Sequence, residues 1–279
     1  MPLPVDKLGH EYPETVTTID PDRALAYAAA TNDDNPAYTS GKYAPPVFAV
    51  VPVFDAVGVA AADIVPPESL LTLLHGEQDI HLRKPLVPGM TLRTRVTPYS
   101  ARVGTSGTRL AMKVTSIDDA GDVAVEQYFT LFLRGLTGGE DAGPDKPSHD
   151  FPEDARANVV GTFTIHVDDD QTFRYRDASG DLNPIHVDAA VATSVGLPGM
   201  IVHGLCTMAM TSQAVIRTVC GGDPWLLRRL AVRFAANVLP GNDVTVTIYD
   251  AGGGRYAFEA ESAGATVIKN GWAEVGPPA

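Results

Sequence analysis

Tyr175-Arg-Asp-Ala-Ser-Gly-Asp-Leu-Asn-Pro-Ile-His186 repeats, 148 residues later and without a gap, the pattern of Tyr27-Ala-Ala-Ala-Thr-Asn-Asp-Asp-Asn-Pro-Ala-Tyr38. The stretches agree at five of twelve positions, where chance gives about one. A second match lies at nearly the same offset, Val87-Pro-Gly89 against Leu239-Pro-Gly241, and each opens an alternating run. Two coincidences at offsets of 148 and 152 point to a duplicated unit.

Each copy has the same order of elements. Alternation of apolar and polar residues predicts strands at 90–96, 110–117 and 123–133 in the first copy, and at 230–234, 244–249, 256–261 and 266–272 in the second. Ahead of the strands stands one helix that is apolar nearly all round and therefore buried, over 47–60 and 205–219. Shorter helices precede these. They are opened by Asp20-Pro21 and by Asp168-Asp169-Asp170, where an acidic cap and a first-turn proline suit the free N–H groups. The fold class expected is α+β, two antiparallel sheets each wrapped around one long helix and joined edge to edge, which leaves fewer exposed edges. Residues 135–152, GLTGGEDAGPDKPSHDFP, read as an exposed connector between copies at 1–134 and 153–279.

The chain has 279 residues, is 44% hydrophobic and carries 21 Lys and Arg against 34 Asp and Glu, a net charge of −13. That excludes disorder and makes a phosphate backbone an unfavourable partner. The most apolar segment, 47–60, is interrupted by Pro52 and Asp55 and falls short of the roughly 20 residues that a bilayer requires. No membrane partner is expected. Cys206 and Cys220, set along one helix, would be roughly 21 Å apart and read as free buried thiols, which with the absence of an export signal points to the cytoplasm.

The densest chemistry is Ser179-Gly-Asp181-Leu-Asn183-Pro-Ile-His186, followed by His203-Gly204 at the mouth of the second long helix. With Leu197-Pro-Gly-Met-Ile-Val-His-Gly-Leu205, this resembles the hydratase 2 signature of the MaoC-like dehydratase family over about thirty residues. The resemblance implies two hotdog folds in tandem and (R)-specific hydration of a trans-2-enoyl-CoA, or the reverse dehydration. Coenzyme A enters as part of the substrate, no separate cofactor is implied, an acyl carrier protein thioester is the other carrier, and a homodimer is left open. By the same resemblance Asp181 and His186 are the catalytic pair, Asn183 a helper and the Gly204 N–H the oxyanion donor.

The residue chemistry agrees. Adding water to a conjugated thioester needs a base for the water, a proton for the α-carbon and a donor for the developing thioester oxyanion. Asp181 and His186 can share one water only if both face the same space. A continuous helix would turn them about 140° apart, so Pro184 is expected to keep the segment irregular. Gly204 lacks a side chain and starts a helix whose dipole favours negative charge.

Ser179 and Gly180 are expected at the substrate site, and His203 either lines the pocket or packs beneath the loop, the latter being favoured. Arg228, Arg229 and Arg233 are either a solvated face or candidates for the coenzyme phosphates. His186, Asp188 and His203 lack metal-site spacing, so no metal is expected. A Ser179-His186-Asp181 hydrolase is disfavoured because no G-x-S-x-G elbow accompanies it. In the first copy Tyr38 stands in the place of His186 and, allowing a five-residue gap, Val50 and Val51 in the places of His203 and Gly204. That copy is expected to be a scaffold that walls the acyl site, enlarged by Ala28, Ala29, Ala30, Ala44 and Ala49. Two rival functions remain: a thioesterase on the same fold, and a non-catalytic acyl-thioester-binding subunit.

Overall fold

A computed structural model of the chain describes residues 3–70 and 73–277. Five strands precede the connector: β1 (Thr15–Thr18), β2 (Leu73–Leu82), β3 (Thr91–Gly104), β4 (Gly107–Ile117) and β5 (Val123–Arg134). Five follow it: β6 (Val159–His166), β7 (Leu227–Phe234), β8 (Asp243–Asp250), β9 (Arg255–Ser262) and β10 (Ala265–Val275). All pair antiparallel in a single sheet of order β1-β3-β4-β5-β2-β7-β10-β9-β8-β6. The order is a palindrome of the two copies, meeting where β2 pairs β7. The helices are α1 (Pro21–Ala30), α2 (Pro36–Thr39), α3 (Phe54–Ile64), α4 (Pro67–Leu70), α5 (Gln171–Ser179), α6 (Ala189–Ser194) and α7 (Gly204–Val219).

The duplication seen in sequence is also a contact. Tyr27 and Tyr175, the first residues of the repeated stretch, place their buried hydroxyls 3.1 Å apart. Arg23 Nε donates to the Ala178 carbonyl at 2.8 Å, and Gln171 Nε2, at the equivalent position of the other copy, donates to the Ala30 carbonyl. Such reciprocity is what a two-fold relation produces. The Pro-Gly turns match as well. Gly89 and Gly241 both adopt positive φ (87° and 81°), and their N–H groups donate to the carbonyls of Ile19 and Val167, each at 2.8 Å.

Two local expectations need correction, and two further features go beyond the sequence reading. The first-copy helix is not one α-helix over 47–60: Pro46–Val53 winds as a 3₁₀ run and the α-helix occupies Phe54–Ile64. Pro52 inside the run removes an N–H and crowds the preceding turn, which prevents α-helical bonding there. Together these segments make 19 residues apolar enough to cross a bilayer by length and composition, but Val47, Phe48, Val50, Val53 and Ala60 are spent on the core of the fold. At the start of α5, Asp170 makes no side-chain cap. Gln171 Oε1 instead accepts from the Asp168 N–H at 3.1 Å, and Asp170 pairs with Arg174 at 2.9 Å.

The connector is largely exposed, as expected, but it is also pinned at several points. Ala142 pairs with Ala101, Lys146 reaches Glu77 at 2.8 Å, and a buried His149 bonds the Asn270 carbonyl through Nδ1 at 2.8 Å. Its glycines and acids permit exposure, but the polar groups of the underlying sheet supply partners that hold it down. Finally, β2 was not legible as a strand. Glu77, Gln78, Asp79 and His81 break any alternation, yet all are buried because the strand runs through the middle of the sheet with charged neighbours.

Candidate active site

The candidate segment is built by turns on either side of Asp181. Helix α5 ends on Gly180, which takes φ +81°, and Arg23 Nη2 occupies the space a Cβ would need, 2.8 Å away. Arg23 also donates to the Ser179 carbonyl at 2.7 Å, so the first copy holds the end of α5. The Ser179 hydroxyl accepts from the Asp181 N–H at 3.1 Å. Both Ser179 and Gly180, expected at the substrate, shape the loop.

Asp181 Oδ1 accepts from the Asn183 N–H at 3.1 Å, and Asn183 Oδ1 from the Ile185 N–H at 3.3 Å. These are Asx turns, and they leave Asp181 Oδ2 unused by the turn. Pro184–His186 then forms a single 3₁₀ turn, so the segment is neither helical throughout nor wholly irregular. Asn183 is at ψ 119°, the extended conformation that a following proline imposes.

This path brings the side chains together. Ligating atoms of Asp181, His186 and His203 all lie within 4.8 Å of one another. A water bonding two groups at about 2.8 Å each can span up to roughly 5.6 Å, so the carboxylate and an imidazole nitrogen are within reach of one water. His186 Nδ1 lies 2.7 Å from the Ile201 carbonyl, which can only accept, so Nδ1 carries the proton and Nε2 keeps its lone pair. Burial lowers the His186 pKa below 6.5, against the Ile201 hydrogen bond and the Asp181 charge, and this favours the basic imidazole.

His203 packs beneath the loop, as favoured. Its ring stacks on His186 with centroids 3.7 Å apart and 25° between planes, and its other side meets Tyr175 at 4.8 Å. His203 Nε2 donates to the Asp181 carbonyl at 3.3 Å, while Nδ1 is buried without a hydrogen-bond partner among the described residues. Burial, with His186 beside it, pushes its pKa down to about 3. The three side chains have the composition of a zinc site but not its geometry. In-plane lone pairs of two nearly parallel stacked rings do not converge on one ion at about 2.0–2.1 Å. Asp188 stands apart from them and caps α6 by accepting from Ala190 and Val191.

Gly204 begins α7 and is exposed, at the end where a helix leaves its first N–H groups without internal partners. A Cβ placed there would lie 3.2 Å from two ring carbons of Phe234. Phe234 was missed in sequence. Its position at the end of a predicted strand gave no sign that the ring would cover this glycine.

The three arginines separate. Arg229 is buried and binds Asp79 through two bonds of 3.0 and 2.8 Å, with Glu274 at 3.0 Å and the Ser148 carbonyl at 2.9 Å. It is a clasp across the β2–β7 seam, not a phosphate ligand. Burial pushes the Asp79 carboxyl up, but His81 and Arg229 outweigh that and hold it down at about 2. Arg228 lies over Trp225 at 3.4 Å, its terminal nitrogens enclosed. Arg233 is exposed and, one residue from Phe234, faces away from α7.

A cavity of about 480 Å³ lies elsewhere, at the first-copy motif, where Ala28, Ala29, Asp33, Phe163, Gln213 and Arg217 help to line it. Ala30, Ala44 and Ala49, expected to widen a pocket, are in the buried core.

Residues 153–270 match the family model described as the MaoC like domain, and residues 38–135 match the MFE-2 hydratase 2 N-terminal domain. The "3-hydroxyacyl-thioester dehydratase Y" of Mycobacterium tuberculosis is 32% identical over 200 residues, covering 69% of this chain and 67% of that protein. The "Probable enoyl-CoA hydratase 2" of Dictyostelium discoideum is 28% identical, covering 74% and 71%. A crystal structure of a MaoC-like dehydratase from Phytophthora capsici superposes with a TM-score of 0.88 at 28% identity, covering 98% of this chain and 97% of that one. With the second-copy motif folded around one small volume, the chain belongs to the MaoC-like dehydratase family, as a double hotdog of the hydratase 2 type.

Proposed function

We propose that the protein is a hydro-lyase that adds water to trans-2-enoyl-CoA to give (R)-3-hydroxyacyl-CoA, or removes it in the reverse direction. The observation that carries this is the convergence of Asp181 and His186 within 4.8 Å of each other, in the copy that also has the open helix start at Gly204. One water bonded to both groups gives up a proton as its oxygen adds to the β-carbon. The α-carbon then takes a proton from the newly protonated pair. Negative charge on the thioester oxygen meets the Gly204 N–H, favoured by the α7 dipole. Asn183 keeps Asp181 in place through the turn it caps. The names of the relatives support the substrate class, and the choice of the R product rests on family membership.

A thioesterase would direct water at the carbonyl carbon and has no use for an imidazole on the β-carbon side. The decisive measurement is loss of the enoyl-thioester absorbance with crotonyl-CoA and a longer 2-enoyl-CoA, with chiral analysis of the product. Persistence of the alkene with every thioester offered, or release of free thiol from saturated acyl-CoA, would overturn the assignment.

A further inference from the structure

Phe234, His75 and Phe129 form a row of rings that starts on Gly204 and runs into the first copy. Phe234 lies against Gly204 so closely that a Cβ would touch the ring at 3.2 Å. His75 meets Phe234 edge-on at 5.2 Å and stacks on Phe129 at 5.4 Å with 15° between planes. Phe129 is 1% exposed. His75 belongs to β2, whose pairing with β5 shifts register between His75 and Glu77, a bulge centred on Gly76. Bulges re-aim side chains next to sites, and here one sets His75 between two rings. Burial pushes the His75 pKa down to about 4, so the ring is neutral near pH 7 and suits an apolar surface.

We propose that this row is the wall along which the acyl chain leaves the thioester, and that Phe234 determines what substituent the α-carbon may carry. The inference rests on the hydratase reading. A thioester oxygen bonded to the Gly204 N–H would lie about 2.9 Å from the nitrogen, and its α-carbon about 2.4 Å from that oxygen. An α-substituent therefore falls close to Gly204, where the Phe234 ring already fills the adjoining space. The row is on the acyl side because it becomes more buried away from Gly204, whereas the coenzyme nucleotide must stay outside the fold. The same packing gives a second reason for glycine at 204, beyond access to its N–H.

The test compares wild type with Phe234→Ala and the milder Phe234→Leu. Two ratios are measured: kcat/KM for 2-methylbut-2-enoyl-CoA over crotonyl-CoA, and calorimetric Kd for 2-methylbutanoyl-CoA against butanoyl-CoA. Truncation should shift both ratios toward the branched ligand, by about ten-fold in the alanine variant, the usual worth of one methyl group in a pocket, and by less in leucine. Ratios within two-fold of wild type in either folded variant would overturn the proposal. A wild-type protein that hydrates neither substrate would remove the hydratase reading, and the binding ratio alone would then decide whether Phe234 walls the site.

Discussion

The loops at 33–38 and 181–186 are folded alike and equipped differently. In the first, the Asn35 N–H donates to Asp33 Oδ1 at 3.2 Å and the Ala37 N–H to Asn35 Oδ1 at 2.9 Å. In the second, the corresponding bonds are 3.1 and 3.3 Å. Asp-x-Asn-Pro is therefore first of all a turn, shared by both copies. What differs is the residue it delivers. Tyr38 is buried with a hydroxyl that has no partner among the described residues, whereas His186 has one nitrogen fixed by Ile201 and the other left basic. The Val50-Val51 pair lies inside a 3₁₀ run, whereas Gly204 opens a regular α-helix.

The contrast can be broken first at its chemical end. Gly204→Val should abolish turnover, since the side chain collides with Phe234 and screens the N–H; wild-type rates would remove Gly204 from the mechanism. Asp181→Asn and His186→Ala should each lower kcat by about 10²–10⁴-fold, the usual worth of a positioned acid or base. Asp33→Asn, the matching change in the first copy, should leave kcat within two-fold. Equal losses from Asp33 and Asp181 would erase the distinction between the loops.

Next in size is the seam. Asp79→Ala should destabilise by about 3 kcal/mol, the lower end for breaking a buried ion pair because Arg229 keeps Glu274 and the Ser148 carbonyl, and urea melts will show it. Arg229→Met should likewise alter stability and not the KM for CoA thioesters.

A smaller effect is pH dependence. His186, His203 and His75 all have pKa values lowered on folding, so the unfolded chain binds more protons in acid. Their share of stability is complete above about pH 6.5 and is lost as pH falls through about 4 and then 3. The acidic limb of kcat/KM should have its midpoint below 6.5, since His186 must be neutral; a midpoint above 7 would contradict its environment. Smallest of all, Arg233→Ala should leave KM unchanged, because the residue faces away from α7.

The pairing of the two copies, the buried helix α7 and the convergence of Asp181 with His186 were legible because each leaves a local signature: a repeated string, an apolar run, a proline that breaks a helix. The seam was not. Glu77, Asp79 and His81 read as a polar stretch, and only distant partners make their burial tolerable, Arg229 for Asp79 and Lys146 for Glu77. The stack of His203 on His186 and the seat of Phe234 on Gly204 were hidden for the same reason, being contacts between segments that share no pattern.

The palindromic sheet has a consequence for the ancestry and engineering of the chain. If two second copies met as the two halves do now, β7 would face β7 and Arg229 would approach its own twin with no Asp79 to receive it. Like charges across strands repel. The seam thus favours the pairing of unlike halves over like ones.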